Sequence, residues 1–257
     1  MSVTLPLPTS PSETSFTYNA MLGTAISDDL IKSRAQLFST NYGIWGEKAI
    51  SISKYTKPGQ SVKMTGSKLR SQCVSIPDHT VLVTCFQHEK LVGHAFASVW
   101  SFEGGVVGWI TQLVVDMSVR KRYIATQLLQ TLKVHPLFQG VTAVGLVSSH
   151  PAACSALAKY SDVGVYAVDL SFIRENAARI LEASAVDYLK SVQLRGDLFQ
   201  ENAGTDAVSS MFTEFYVDHA EPSKVLEKFK VRGKWCLGEL LEGHEYLALF
   251  PVSPLGD

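Results

Sequence analysis

The sequence predicts a mixed α/β (α+β) fold: a mostly antiparallel sheet with helices on both faces. Three observations predict it. Residues 80–115 hold three apolar, β-branched runs separated by short turns, the form of an antiparallel meander. Beyond the meander, strand and helix alternate as in a βαβ crossover. The chain is 257 residues long and 46% hydrophobic, enough to bury a core.

The chain opens with "MSVTLPLPTSPSETS", rich in Ser, Thr and Pro and unable to bury much surface. Residues 1–20 are read as a disordered tail, and residues 21–257 as one domain with an elaborated C-terminal half. The opening has no basic end, apolar stretch or cleavage site, so it does not read as a signal peptide. From about residue 25, "AISDDLIKSRAQLFSTNYGIW" reads as a helix. Asp28 and Asp29 suit the positive end of its dipole, and "NYG" breaks it. Residues 48–70 carry Lys48, Lys54, Lys57, Lys63, Lys68 and Arg70 and no acid. They read as a solvated loop, with a flap beside an anionic ligand as the alternative.

The strands "TVLVTCFQ", "LVGHAFASVW" and "VVGWITQLVV" follow, joined by "HEK" and "SFEGG". Ala125, Leu128, Leu129 and Leu132 then recur at helical spacing, and "HP" at 135–136 stops that helix. "VTAVGLVSS" is a strand, and Pro151 starts the helix "PAACSALAKY". Residues 168–200 read as mostly helical, with Ile173, Ala177, Ile180 and Leu181 on one face. The end reads as the strand "SMFTEFYVD", the short helix "EPSKVLEKFK" and the strand "WCLGELLEGHEYLALF".

Composition excludes several functions. A net charge of −1 gives no sign of a nucleic-acid partner. No apolar run approaches the roughly 20 residues a membrane helix needs. Cys73, Cys85, Cys154 and Cys236 are far apart and form no CxxC pair. Free thiols in a reducing, cytoplasmic setting are therefore expected. The histidines are scattered without an HExxH motif, so no metal is expected. Acids outnumber bases over residues 201–257, read as a solvated surface or, alternatively, as attraction for a cationic amine. Monomer and homodimer both remain open.

One stretch carries chemistry: "VVDMSVRKRYIATQLL", residues 114–129. Arg120, Lys121 and Arg122 fall where a strand feeds a helix. Unpaired N–H groups at a helix start bind anions, and adjacent cations suit a pyrophosphate. The meander, this basic turn and the following strand and helix, about residues 78–166, resemble the GNAT superfamily of acyl-CoA N-acyltransferases. The family signature has the form Arg/Gln-x-x-Gly-x-Gly/Ala. Here it reads Arg120-Lys121-Arg122-Tyr123-Ile124-Ala125, with Thr126 continuing into the helix and Tyr123 where glycine is usual.

The resemblance implies an acetyl-CoA cosubstrate and a small amine that attacks the thioester directly. Its pantetheine would pair with backbone around Leu113, Val114 and Val115, with an N–H near Leu113 serving the thioester oxygen. It also implies a tyrosine acid for the leaving thiolate. Tyr160 fits, followed at the family interval by Gly164, with Lys159 in place of the usual leucine. The family's early-strand glutamate is Trp109 here, which cannot act as a base. Candidate bases lie elsewhere: His219 first, because imidazole titrates near neutrality, then Glu103, Asp218, Glu242, His244 and Glu245. Tyr42, Trp45, Trp109 and Gln112 are candidate substrate contacts, and His150 is a candidate cofactor contact or helix cap. Two rival functions remain: a GNAT-like acyl-CoA-binding sensor without turnover, and a protein or histone acetyltransferase.

Overall fold

The computed structural model describes residues 15–199 and 206–253. Eight strands form one sheet in the order β1-β2-β3-β4-β5-β8-β7-β6. They are β1 Phe16–Leu22, β2 Thr80–Gln87, β3 Lys90–Phe102, β4 Gly105–Val115, β5 Ala143–Ser148, β6 Gln193–Arg195, β7 Ser210–Phe212 and β8 His244–Pro251. All neighbours run antiparallel except β4 and β5, which run parallel. The helices are α1 Asp28–Asn41, α2 Gly66–Cys73, α3 Ile124–Lys133, α4 Pro151–Tyr160, α5 Leu170–Glu182, α6 Asp187–Lys190 and α7 Ala220–Val231.

The meander is central, and its sequence shows why. β2, β3 and β4 are apolar on both faces because helices cover both, so their runs are nearly continuous rather than alternating. Val81, Val83, Ala95 and Ala97 pack with Leu128, Leu129 and Leu132 of α3. Leu82 and Phe96, on the opposite face, pack with Ile31 of α1 and Leu69 of α2. Antiparallel partners share a face, so Phe96, Ser98 and Trp100 point the same way as Trp109. The Trp100 indole donates to the Ile180 carbonyl at 3.1 Å, which fixes α5 on the α1/α2 face.

Helix starts carry the chemistry their sequence promised. Ser27 Oγ accepts from the Leu30 N–H of α1, and Asp28 and Asp29 occupy its first turn. Asp169 accepts from Ser171 and Phe172 at the start of α5. Pro151 sits in the first turn of α4, and His150 caps that helix through Nδ1, which accepts from the Ala152 N–H.

Several expectations are corrected. Phe16–Leu22 is a strand, so the expected 1–20 tail overlaps β1; residues 1–14 lie outside the described residues. The 48–70 stretch is not loop throughout, since α2 begins at Gly66, capped by Thr65. The 168–200 stretch turns to strand at β6. "SMFTEFYVD" contributes only the three residues of β7 plus a bridge at Val217. The last strand begins at His244, not at residue 235, because "LEGH" turns.

Candidate active site

The parallel pairing of β4 and β5 ends at Ile110–Leu146, yet β4 continues to Val115. A bulge places Thr111 as an extra residue opposite Phe96–Ala97 and bends the strand there. From Thr111 to Val115 the β5-facing edge of β4 therefore has no strand partner. β5 meanwhile stays with β8 through Ser148–Tyr246. A gap thus opens at the carboxyl ends of two parallel strands, where α/β folds bind ligands.

Glu245 stands beside this gap. It lies on the β8 face shared with Leu247 and Leu249, the face of Trp109 and α5. The residue is 8% exposed. Burial pushes its carboxyl up to about 7, against the opposing pull of the Thr213 hydroxyl and the Ser149 amide. Tyr42, at the end of α1, and Tyr188, on α6, both feel its charge, and burial raises their hydroxyls well above the ordinary value. Trp109 Nε1, Thr111 Oγ1 and Thr213 Oγ1 are buried, beside Tyr188, Cys73 and Glu245 in turn. The result is a group of half-buried tyrosines and threonines beside the gap. A carboxyl with a near-neutral pKa and the Thr213 hydroxyl stand together there. Such a site suits a polar guest that can lose a proton.

The turn after β4 retains the shape that glycine normally permits. Tyr123 has φ 59° and ψ 15°, and Lys121 has φ 66°, both left-handed. Tyr123 is 79% exposed, so its ring points to solvent and costs no packing. No side chain caps the first turn of α3, which leaves its N–H groups for an anion. Lys121 and Arg122 are exposed, and the Arg122 guanidinium lies 4.6 Å from the centre of the Phe16 ring. Arg120 is engaged differently. Its Nε donates to the Val115 carbonyl at 3.3 Å, and a terminal nitrogen donates to the Asn41 carbonyl. The same residue, Asn41, accepts the Met117 N–H through Oδ1 at 2.9 Å. Arg120 therefore clamps the end of α1 to the end of β4.

The remaining expected residues are placed as follows. Leu113, Val114 and Val115 lie on the unpaired part of β4. Ile124, Ala125 and Thr126 form the first turn of α3. Trp109 is 0% exposed, next to Tyr188. Gln112 turns to His94, whose Nε2 lies 2.7 Å from its Oε1, and burial lowers that imidazole to about 4. Trp45 packs edge-on to Phe215, and Tyr42 stacks on Phe38 at 4.3 Å. Tyr160 ends α4 at 1% exposure, with the Lys133 ammonium 5.6 Å from its ring centre. Burial raises its hydroxyl, which keeps it protonated. His219 precedes α7, lowered by burial, and the charges around it are Asp218, Glu242 and His244. The structure thus groups Tyr42 and Glu245 with Tyr188, Thr111 and Thr213, which the sequence did not single out. Among the described residues no cluster of His, Cys, Asp or Glu could hold a metal ion. No described helix is long and apolar enough to cross a membrane.

Residues 51–161 match the model of the acetyltransferase (GNAT) family. The likeness to the GNAT family model is confined to that segment. It runs from the turn after α1 to the residue after Tyr160 and includes the bulged strand, the basic turn and α3. Glu245 lies outside it, contributed by the C-terminal half. No curated protein matches the chain. Solved structures similar to it include a GNAT-family acetyltransferase from Streptococcus pneumoniae, at 10% identity. That likeness covers 93% of this chain and 100% of the other, with a TM-score of 0.41. An aminoglycoside acetyltransferase from an uncultured soil metagenomic sample is 21% identical over 59% of this chain and 91% of its own, at a TM-score of 0.39. The ribosomal-protein-S18-alanine N-acetyltransferase of Escherichia coli is 12% identical over 56% and 76%, at 0.38.

Proposed function

We propose that the protein is an acetyl-CoA-dependent N-acetyltransferase for a small amine, with Glu245 as its general base. The observation that carries this reading is a buried carboxyl at about 7, beside the gap between β4 and β5. An alkyl ammonium with a pKa of about 10 must lose a proton before it can attack a thioester. Glu245 takes that proton. The amine nitrogen then bonds to the thioester carbon, and the oxygen that becomes anionic accepts an N–H near Leu113. The carbon–sulfur bond breaks, the thiolate takes a proton from Tyr160, and the second proton lost by the nitrogen restores the tyrosine. The products are an amide and CoA.

The diphosphate is held by the first-turn N–H groups of α3 with Lys121 and Arg122. Glu245 replaces His219 as the preferred base because Tyr42, Tyr188 and Thr213 surround Glu245. The α5–α6 segment supplies Tyr188 beside Glu245, which favours a small molecule over a protein tail. All four cysteines are free, which supports a reducing, cytoplasmic setting. Glu245→Gln tests the assignment. Acetyl-CoA affinity should persist while turnover of any accepted amine falls by about 10²- to 10⁴-fold.

One observation favours the rival reading of an acyl-CoA sensor: Arg120 commits Nε and one terminal nitrogen to the Val115 and Asn41 carbonyls. Tight acetyl-CoA binding with no turnover across a broad amine panel would select it.

A further inference from the structure

The ends of β4 and β5 are joined by one side chain from a distant part of the chain. Glu221 lies in the first turn of α7. Its Oε2 accepts from His150 Nε2 at 2.8 Å and lies 3.9 Å from the Arg120 guanidinium. Arg120 follows β4 and His150 follows β5, so the carboxylate bridges the mouth of the gap. The His150 tautomer is fixed by its other nitrogen. Nδ1 accepts from the Ala152 N–H, so the neutral ring carries its proton on Nε2 and donates it to Glu221. The charge of Lys121 also acts on Glu221.

A backbone tie holds this part of the chain in place. The Gly46 N–H donates to the Tyr216 carbonyl at 2.9 Å, and the Asp218 N–H donates to the Ile44 carbonyl at 2.9 Å. The segment after α1 is thus paired with the segment that leads into α7. The Glu221 side chain itself is 57% exposed and can swing outward.

Resting on the acyl-CoA reading above, we infer that Glu221 holds the place of the cosubstrate's diphosphate in the free protein and so sets the affinity for acyl-CoA. The cations of this turn face one internal anion before any ligand arrives. An incoming diphosphate meets that anion and must displace it. His150 Nε2–H, Arg120 and Lys121 then turn from the carboxylate to phosphate oxygens. Affinity is lowered by the competition, and product CoA is helped to leave.

The test is calorimetric titration of free CoA into the full chain, comparing the wild type with Glu221→Gln. Glu227→Gln serves as the control, because it makes the same charge change on the exposed side of α7. Glu221→Gln should bind CoA roughly three- to tenfold more tightly at about 0.05 M salt, and the gain should shrink near 0.5 M. Glu227→Gln should match the wild type. Glu221→Ala, which also loses the hydrogen-bond acceptor, should move in the same direction. Binding by Glu221→Gln alone would support the inference in its strongest form. Wild-type binding with an equal or weaker Glu221→Gln overturns it and leaves the acyl-CoA reading standing. No binding by either protein overturns that reading and this inference with it.

Discussion

As the proposed base, Glu245 ties activity and stability to one proton. Its carboxyl titrates at about 7 in the fold, against an ordinary value of 4.5. As a base it must be ionised, so the rate should rise with pH through about 7 and level off above. In Glu245→Gln that limb should vanish. Stability runs the other way. A carboxyl raised by folding leaves stability intact below its unfolded value, and stability falls as pH rises through the folded value. Glu245→Gln should therefore equal the wild type near pH 4.5 and exceed it near pH 8 by up to about 3 kcal/mol. Urea midpoints at the two pH values measure this, and a variant less stable at high pH would contradict the burial argument. Tyr123 gives a second test at this scale. It already adopts φ 59°, so Tyr123→Gly should remove left-handed strain and raise stability by about 0.5–1 kcal/mol. CoA affinity should hold or improve, whereas a loss of binding would mean that the tyrosine itself is needed. The sequence shows a lone acid inside the apolar run "HEYLALF". It does not show that Tyr42 and Tyr188, far apart in the chain, close over that acid.

Among the elements, β4 and β5 decide the site. They pair only as far as Ile110–Leu146, and the bulge at Thr111 lets β4 diverge. Close packing at the base of this divergence depends on Gly145. A Cβ there would meet Trp109 Cζ3 at 2.4 Å. Gly145→Ala should cost about 1–3 kcal/mol and perturb indole fluorescence, because Trp109 must move. An unchanged denaturation midpoint would show that the ring is not held against β5. The meander was legible because its β-branched runs are buried on both faces and are cut by short turns. β1 was hidden because it is an edge strand with an irregular half-exposed pattern, directly after a Ser- and Pro-rich stretch. α2 was hidden because only Leu69 and Cys73 are buried, inside a basic run that begins with Gly66. "GELLEG" is apolar enough to read as strand, yet glycines at 238 and 243 have φ of 80° and 73° and turn the chain.

Across the whole molecule, the candidate site is assembled from parts that no short motif spans. The segment that matches the GNAT model supplies the unpaired strand edge and the basic turn, whereas the acid comes from β8 and the covering tyrosines from α1 and α6. The order of elements could therefore point to the cosubstrate, but the base had to wait for the fold. Glu221 follows the same logic, reaching from α7 to residues that end β4 and β5. The central claim is that an amine is acetylated at this proposed site by way of Glu245. The most direct test is CoA thiol release from acetyl-CoA with a panel of small primary amines, followed across pH for the wild type and Glu245→Gln. The account predicts turnover with at least one amine, a rate limb near pH 7 in the wild type and no such limb in the variant. Bound acetyl-CoA without turnover of any amine, or a limb that survives the substitution, would contradict it.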